Sequence, residues 1–477
     1  MAGISIDNPK IFAYGGKWYF FDINISNPSI GIQNLSNKYI ELFEYTNEIN
    51  SLCLYGNIIY TDIDGSISKF INRVDNLISV NCTQMEKKQD GGNLEIFQKI
   101  KRENDEDTFF HLFIVQNIGI LSREKQAITY QISLISTSWY LFSSKLDFSN
   151  YPIDTKVFDE VSKPRNGYLI LLKLLSESIS KSKSFKIDVD SFKKLAEKSS
   201  NKVIPFITNC NDNMFSVMKY IFDRMYWNKF RTEESLKYIA YSPAQSLYRC
   251  IDYGDEKTFF TCARPYILLS MFETNFEQQI FSSNAQLASM VGKNQTSTYE
   301  NLFKHTIWEY DSSTNTFNTF NSFDSIMISN LYNNKPNLFK EIDKVKTEQK
   351  YSSVPRPEYF INNDYSNQMT EWNRKSSIYW NLIDNLTKRD AIVINTEGDI
   401  SHQPGACMTI VLDRTMEKLT EMNNAQLKEL YEKHRQLEMI FPILKVQHRY
   451  HIANTKSESS YTENVVLGRN FILPPKK

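Results

Sequence analysis

Phe113-Ile114-Val115-Gln116-Asn117 and Leu444-Lys445-Val446-Gln447-His448 are short apolar stretches, each carrying Val-Gln followed by a polar residue. Each leads through a polar turn into a Tyr-led run: Tyr130-Gln131-Ile132-Ser133-Leu134 in the first case, Tyr461-Thr462-Glu463-Asn464-Val465 in the second. The step from Val to Tyr is the same, 115 to 130 and 446 to 461. Alternation of apolar and polar residues is the period of a half-buried strand. Both stretches therefore read as hairpins, and their equal spacing points to one design used twice, in a duplicated β-barrel. Two generic hairpins of equal length would give the same pattern.

Working outward from the first hairpin, Gly15-Gly16 lies between two aromatic, β-branched runs within 10–25. Paired glycines accept the positive φ angles of a tight turn, so the chain opens with a β-hairpin. Further strands are expected over 49–61, 76–85, 109–117 and 127–136, each short and bounded by polar turns. Between the second and third of these, 86–107 holds Gly91-Gly92 and the run Glu103-Asn104-Asp105-Glu106-Asp107. Such a stretch has no apolar face to bury and reads as a solvated loop.

Beyond Tyr151 the pattern changes. Residues 167–179 fit a helix, and Met214, Met218, Ile221, Phe222 and Met225 recur at helical spacing after an Asn211/Asp212 start. The Asn-, Thr- and Phe-biased stretch 311–323 reads as a loop or a sheet edge. An amphipathic helix is expected over 371–384, then strands over 391–396, 406–413, 443–452 and 461–471. A second amphipathic helix, 415–439, interrupts them. Its Met416, Leu419, Met422, Leu427, Leu430, Tyr431 and Leu437 would cap a barrel end or meet a partner.

Bulk composition removes several classes of function. With 477 residues, 41% of them hydrophobic, the chain can core two to four domains. Lys+Arg and Asp+Glu are both 55, so net charge favours neither a polyanion nor an anionic membrane. The six cysteines, Cys53, Cys82, Cys210, Cys250, Cys262 and Cys407, form no CxxC pair and read as reduced, mostly buried thiols. The first ten residues lack a signal peptide's basic-then-apolar order, and the longest apolar run, 168–175, is too short to span a bilayer. A soluble protein, made in a cytosol and not exported by signal peptide, is expected.

Motifs for chemistry are missing. No GxGxxG follows a strand and no GxxxxGK[ST] occurs. His448 and His451, three apart on a strand, point to opposite faces and cannot share a metal; a solvated or core-edge role is expected for them. Asp62-Ile63-Asp64-Gly65 opens like a calcium loop but lacks the later ligands, and reads as a turn. Cys407 follows His402-Gln403-Pro404-Gly405-Ala406, the syntax of a turn feeding a buried strand rather than of a nucleophile. No carboxylate pair stands out for glycoside hydrolysis. The sequence nominates no catalytic, cofactor-binding or metal-binding residue, no cofactor, and no particular interface residue.

The order of elements resembles the central hub protein of T-even-type contractile phage baseplates. In the N-terminal part the resemblance rests on 49–65, on Asn76-Leu77-Ile78-Ser79-Val80, on the first hairpin and on the exit Trp139-Tyr140-Leu141-Phe142. In the C-terminal part it rests on 371–384, Ala391-Ile392-Val393-Ile394-Asn395-Thr396, the Gln403-Pro404-Gly405 turn, 408–413 and the hairpin from Ile443. The chain departs from the family at 86–107, around 311–350 and at 415–439.

The resemblance implies an α+β fold with two antiparallel tail-tube-like β-barrel domains separated by a helix-rich α/β domain. The expected segments are 1–150 (first barrel), 151–270 (helix-rich), 271–385 (mixed) and 386–477 (second barrel, with the 415–439 insertion). It implies a non-enzymatic virion protein of the tail baseplate, synthesised in the host bacterial cytoplasm. Three copies would form a pseudo-six-fold ring joining a six-fold tail tube to a three-fold spike, with a channel for DNA. The implied partners are further copies of itself, the tail tube, the central spike, baseplate wedge proteins and a tape-measure protein, without specific nucleic-acid binding or membrane insertion. A tail-associated cell-wall hydrolase, or another tail component such as a distal-tail or tube-terminating protein, is the alternative.

Overall fold

The computed structural model describes residues 4–5, 10–14, 17–89, 95–99, 108–146, 167–180, 182–198, 213–225, 237–252, 260–261, 305–311, 316–322, 357–362, 392–400, 402–409, 440–451 and 459–468. The N-terminal strands are β1 (Ile4–Ser5), β2 (Ile11–Tyr14), β3 (Lys17–Asn27), β4 (Gly31–Leu35), β5 (Ile40–Glu48), β6 (Tyr55–Asp62), β7 (Leu77–Gln89), β8 (Glu95–Lys99), β9 (Thr108–Arg123) and β10 (Ile128–Ser136). The middle holds α1 (Ser138–Ser143), α2 (Gly167–Ser180), β11 (Lys186–Ile187), α3 (Val189–Lys198), α4 (Met214–Met225), β12 (Lys237–Ser242) and β13 (Leu247–Asp252). Then come β14 (Phe260–Thr261), β15 (His305–Asp311), β16 (Thr316–Ser322), β17 (Pro357–Asn362), β18 (Ile392–Glu397), β19 (Ala406–Thr409), β20 (Ile440–His451) and β21 (Ser460–Leu467).

The described residues are mostly β, with few helices. Fifteen strands form one sheet, whose backbone runs β3-β7-β9-β10-β6-β5-β20-β21-β18, and among the described residues no ladder closes it into a barrel. The N- and C-terminal strands, expected in separate barrels, meet where β20 pairs antiparallel with β5, from Lys445↔Glu48 to His451↔Leu42. The two echoed hairpins keep their correspondence in register: Val115 lies opposite Leu134, and Val446 opposite Val465. Bulges between Thr129 and Tyr130 and between Ser133 and Leu134 shift the first hairpin, and an extra residue in one strand bends a ladder in this way.

The opening hairpin forms as expected, with Ile11↔Phe20 through Tyr14↔Lys17 in register. The reading of 86–107 as a loop is corrected in part. Glu86 to Gln89 continue β7, and Glu95–Lys99 pairs back onto it as β8, because backbone hydrogen bonding suffices to hold a polar strand against a partner. Thr316–Ser322 is the edge strand of a three-stranded sheet, β16-β15-β17. The helices expected over 371–384 and 415–439 lie outside the described residues.

In the middle region α2 buries Tyr168, Leu171, Leu174, Leu175 and Ile179, the i, i+3, i+4 spacing of one helix face. The cap of α4 is Asn213 rather than Asn211 or Asp212. Its Oδ1 accepts from the Ser216 N–H (3.1 Å) and its own N–H donates to Ser216 Oγ (3.1 Å), a reciprocal capping box. These helices pack with β11-β13-β12, and the segment after β5 ties that unit to the main sheet. Asn50, at φ 59°, exchanges two hydrogen bonds with the Ile239 backbone, its N–H donating to Ile239 O (2.8 Å) and its Oδ1 accepting from Ile239 N–H (3.0 Å). Asn47 Nδ2 donates to Tyr241 O and the Tyr248 hydroxyl to Leu52 O, each at 2.8 Å.

Candidate functional site: the two faces of the main sheet

Reading across the ladders separates two rows of side chains. Tyr461, Tyr450, Phe43, Ile58, Ile132 and Ile118 are successive cross-strand partners over six strands, and all but the partly covered Ile118 are buried. One position along every strand, Thr462, Arg449, Glu44, Asn57, Ser133 and Asn117 are likewise successive partners, all polar and all in contact with solvent. Period-two alternation along each strand, held in register across strands from both ends of the sequence, produces this division.

Side chains on the polar face join to one another. Thr61 Oγ1 donates to Glu41 Oε1 (2.7 Å) and lies 3.0 Å from Thr129 Oγ1. Asn464 Nδ2 donates to Gln447 Oε1 (3.2 Å), and Gln447 Nε2 donates to Glu44 Oε2 (3.1 Å). Both β20 cations on this face have a β5 carboxylate beside them: Arg449 Nε is 3.4 Å from Glu44 Oε2, and Lys445 Nζ is 3.9 Å from Glu48 Oε2. Amides, hydroxyls and neutralised cations make a wetted wall with little grip on a polyanion.

The buried face holds a polar cluster that the sequence reading missed. Glu463 Oε1 pairs with His402 Nδ1, and Glu463 Oε2 accepts the Asp399 N–H (3.1 Å) and lies 3.4 Å from His448 Nδ1. His448 Nδ1 is also 2.9 Å from the Tyr461 hydroxyl, and its ring stacks on Tyr45 with centroids 4.6 Å apart. His448 is therefore not solvated or at the core edge as expected. It lies wholly inside, while His451 on the other face is partly exposed. Burial, and next the neighbouring His402, pull the His448 pKa down to about 3. Burial pushes the Glu463 carboxyl up, against the pull of His402 and the Asp399 N–H. The sequence did carry a signal: Tyr461, Val465 and Leu467 point inward with period two, and Glu463 occupies the inward position between them.

This cluster has no access for a substrate, since Glu463, His402 and His448 are 0%, 1% and 2% exposed. Cys407 is a buried cysteine on β19, and Cys53, Cys82 and Cys250 are buried elsewhere; Cys210 and Cys262 lie outside the described residues. Burial raises the Cys53 thiol to about 11 and the Cys82 thiol to about 12, the opposite of an activated nucleophile. Asp62-Ile63-Asp64-Gly65 is a turn. Asp62 accepts from the Ser66 and Ile67 N–H groups, and Gly65 sits at φ +73°. Among the described residues no group of three or more His, Cys, Asp or Glu side chains is placed to hold a metal ion, and no helix is long and apolar enough to cross a membrane.

No family model matches the chain, and no curated protein matches it. Its structural neighbours are tail proteins and a VgrG complex. It is similar to a tail protein from Neisseria meningitidis MC58 (7% identity, 95% of this chain and 98% of that chain, TM-score 0.41). It is also similar to the 43 kDa tail protein of prophage MuSo2 from Shewanella oneidensis (8% identity, 95% and 99%, TM-score 0.42). The third is a Francisella PdpA-VgrG complex (10% identity, TM-score 0.40), where 96% of this chain spans 59% of the matched chain.

Proposed function

We propose that this chain is a non-enzymatic structural subunit of a phage-type tail, a hub whose polar sheet face lines a channel. The observation that carries this reading is the row Thr462-Arg449-Glu44-Asn57-Ser133-Asn117, an unbroken hydrophilic stripe built jointly by the N-terminal strands β5, β6, β9 and β10 and the C-terminal strands β20 and β21. A wall shared by both ends of one subunit is the geometry a ring needs if each copy supplies two similar arcs. In this reading the segments 1–150 and 386–477 are the two tube-like arcs, three copies complete a pseudo-six-fold ring in the tail baseplate, and DNA slides past a lining whose cations are neutralised. The tail tube and a three-fold spike are its axial partners. Light scattering after size exclusion, alone and with a candidate spike, tests this: three copies per particle and a ring with a central hole in negative stain are expected. A persistent monomer that degrades peptidoglycan would overturn the reading in favour of a cell-wall hydrolase.

A further inference from the structure

Residues 398–400 and 402–405 leave β18, cross the buried end of β20 and β21, and lead into β19. They are fastened at both ends. The Gly398 N–H donates to Tyr461 O (2.8 Å), and a Cβ at Gly398 would overlap the Tyr461 ring, so backbone lies directly on the aromatic face. Asp399 and His402 are tied to Glu463, as described above. At the far end Gly405 adopts φ +92°, and a Cβ there would sit 2.9 Å from Ala240 Cβ and 3.0 Å from Ile251 Cγ1. The segment thus straps the C-terminal strands to the β12-β13 unit.

We propose that this strap is an acid-releasable latch with His448 as its trigger, a property independent of what the sheet lines. His448 faces Asp399 and His402 of the strap, Glu463 and Tyr461 of β21, and Tyr45 of β5, with Cys82 of β7 beyond, in electrostatic reach of Tyr45 and Tyr450. While His448 is neutral, its Nδ1 can accept the Tyr461 O–H. Once protonated, Nδ1 can no longer accept from Tyr461, whose hydroxyl must turn to accept instead, and a buried cation sits beside His402, balanced only in part by Glu463.

Released, the imidazole meets water and titrates near its ordinary value of about 6.5. Strapped, it stays neutral down to about 3. Between these limits the released state binds a proton that the strapped state does not, so a falling pH favours release. At pH 5 the gain is roughly thirty-fold. Glu463 acts in the opposite sense, because its raised pKa lets the strapped state hold a proton, and it offsets part of this gain.

Hydrogen exchange followed by mass spectrometry at pH 7.5 and 5.0, corrected for intrinsic exchange, tests the latch on peptides spanning the strap and β21. The full chain should open about ten- to thirty-fold more at pH 5. His448→Gln should abolish that response, whereas Glu463→Gln should keep it. His111→Gln should keep it too, since His111 lies on β9 and is equally buried. Loss of the acid response in the wild type, or its persistence in His448→Gln, overturns the proposal. Should His448→Gln fail to fold, histidine ring NMR of the wild type decides: a His448 resonance titrating near 6.5 while the strap stays protected is equally fatal.

Discussion

Tyr450 lies flat against Tyr461, its direct partner across the β20–β21 ladder, with ring centroids 4.1 Å apart and planes within 8°. Tyr450 also stacks on Phe43 of β5 and Phe21 of β3, at 5.7 and 5.4 Å. One ring from the end of the sequence therefore fastens two strands from its beginning. Tyr450→Ala should cost about 3–5 kcal/mol, in the range of large core truncations. Tyr461→Phe, which removes only the hydroxyl facing His448, should cost about 1 kcal/mol. Urea denaturation midpoints at constant slope check both.

Gly405 and Gly31 separate conformational strain from steric overlap. Both have left-handed φ, +92° and +95°, but a Cβ at Gly31 meets nothing within 4 Å, whereas at Gly405 it meets Ala240. Gly31→Ala should cost about 1 kcal/mol from backbone strain alone. Gly405→Ala should cost about 1–3 kcal/mol more, because the neighbouring backbone must give way. Paired thermal melts of the two variants read the difference.

Asn50 holds the β12-β13 unit to the main sheet through a left-handed φ of 59° and a side-chain bond to the Ile239 N–H. Asn50→Gly keeps the backbone freedom and loses only the bond, at about 1 kcal/mol. Asn50→Ala loses both and should cost about 2–3 kcal/mol. The order Asn, Gly, Ala in unfolding free energy is the expected outcome. Equal losses for Gly and Ala would show that φ is not under strain.

His111 is buried among Phe109, Phe113 and Tyr241, and burial takes its pKa down to about 3. The folded value lies below the unfolded one, so its contribution is fully present above about pH 6.5 and is lost as pH falls toward 3. Between pH 7.5 and 5 the loss should be roughly 2 kcal/mol. His111→Phe should flatten the pH dependence of unfolding free energy by that amount, measured in urea at the two pH values.

Much of the strand pattern could be read in the sequence, because period-two alternation survives in 128–136 and 460–467 without help from tertiary context. The strand that decides the architecture, β5, was missed. Ile40-Glu41-Leu42-Phe43-Glu44-Tyr45-Thr46-Asn47-Glu48 puts Leu42 and Phe43 side by side inward at a bulge between Ile40 and Leu42, which breaks the alternation at the front. Helix α3 was hidden similarly, since only Phe192 and Leu195 mark its buried face and its start is set by Asp188, whose Oδ1 accepts the Ser191 N–H. His402, His448 and Glu463 are distant in sequence, and only the joining of strap and hairpin brings them together. Pairing partners across such spans are properties of the folded sheet, while local runs reveal only that strands exist.

The β5–β20 seam joins residues as far apart as Leu42 and His451, 409 positions along the chain (451 − 42). On the ribosome β5 is finished long before its neighbour exists, and for that interval one edge of a strand with an apolar inner face has no partner. A chain cut short before Ile440 would carry that open edge permanently, a template for pairing with another copy. Quality control during synthesis thus falls on this one strand, and truncated products should accumulate as aggregates, not as half-built soluble subunits.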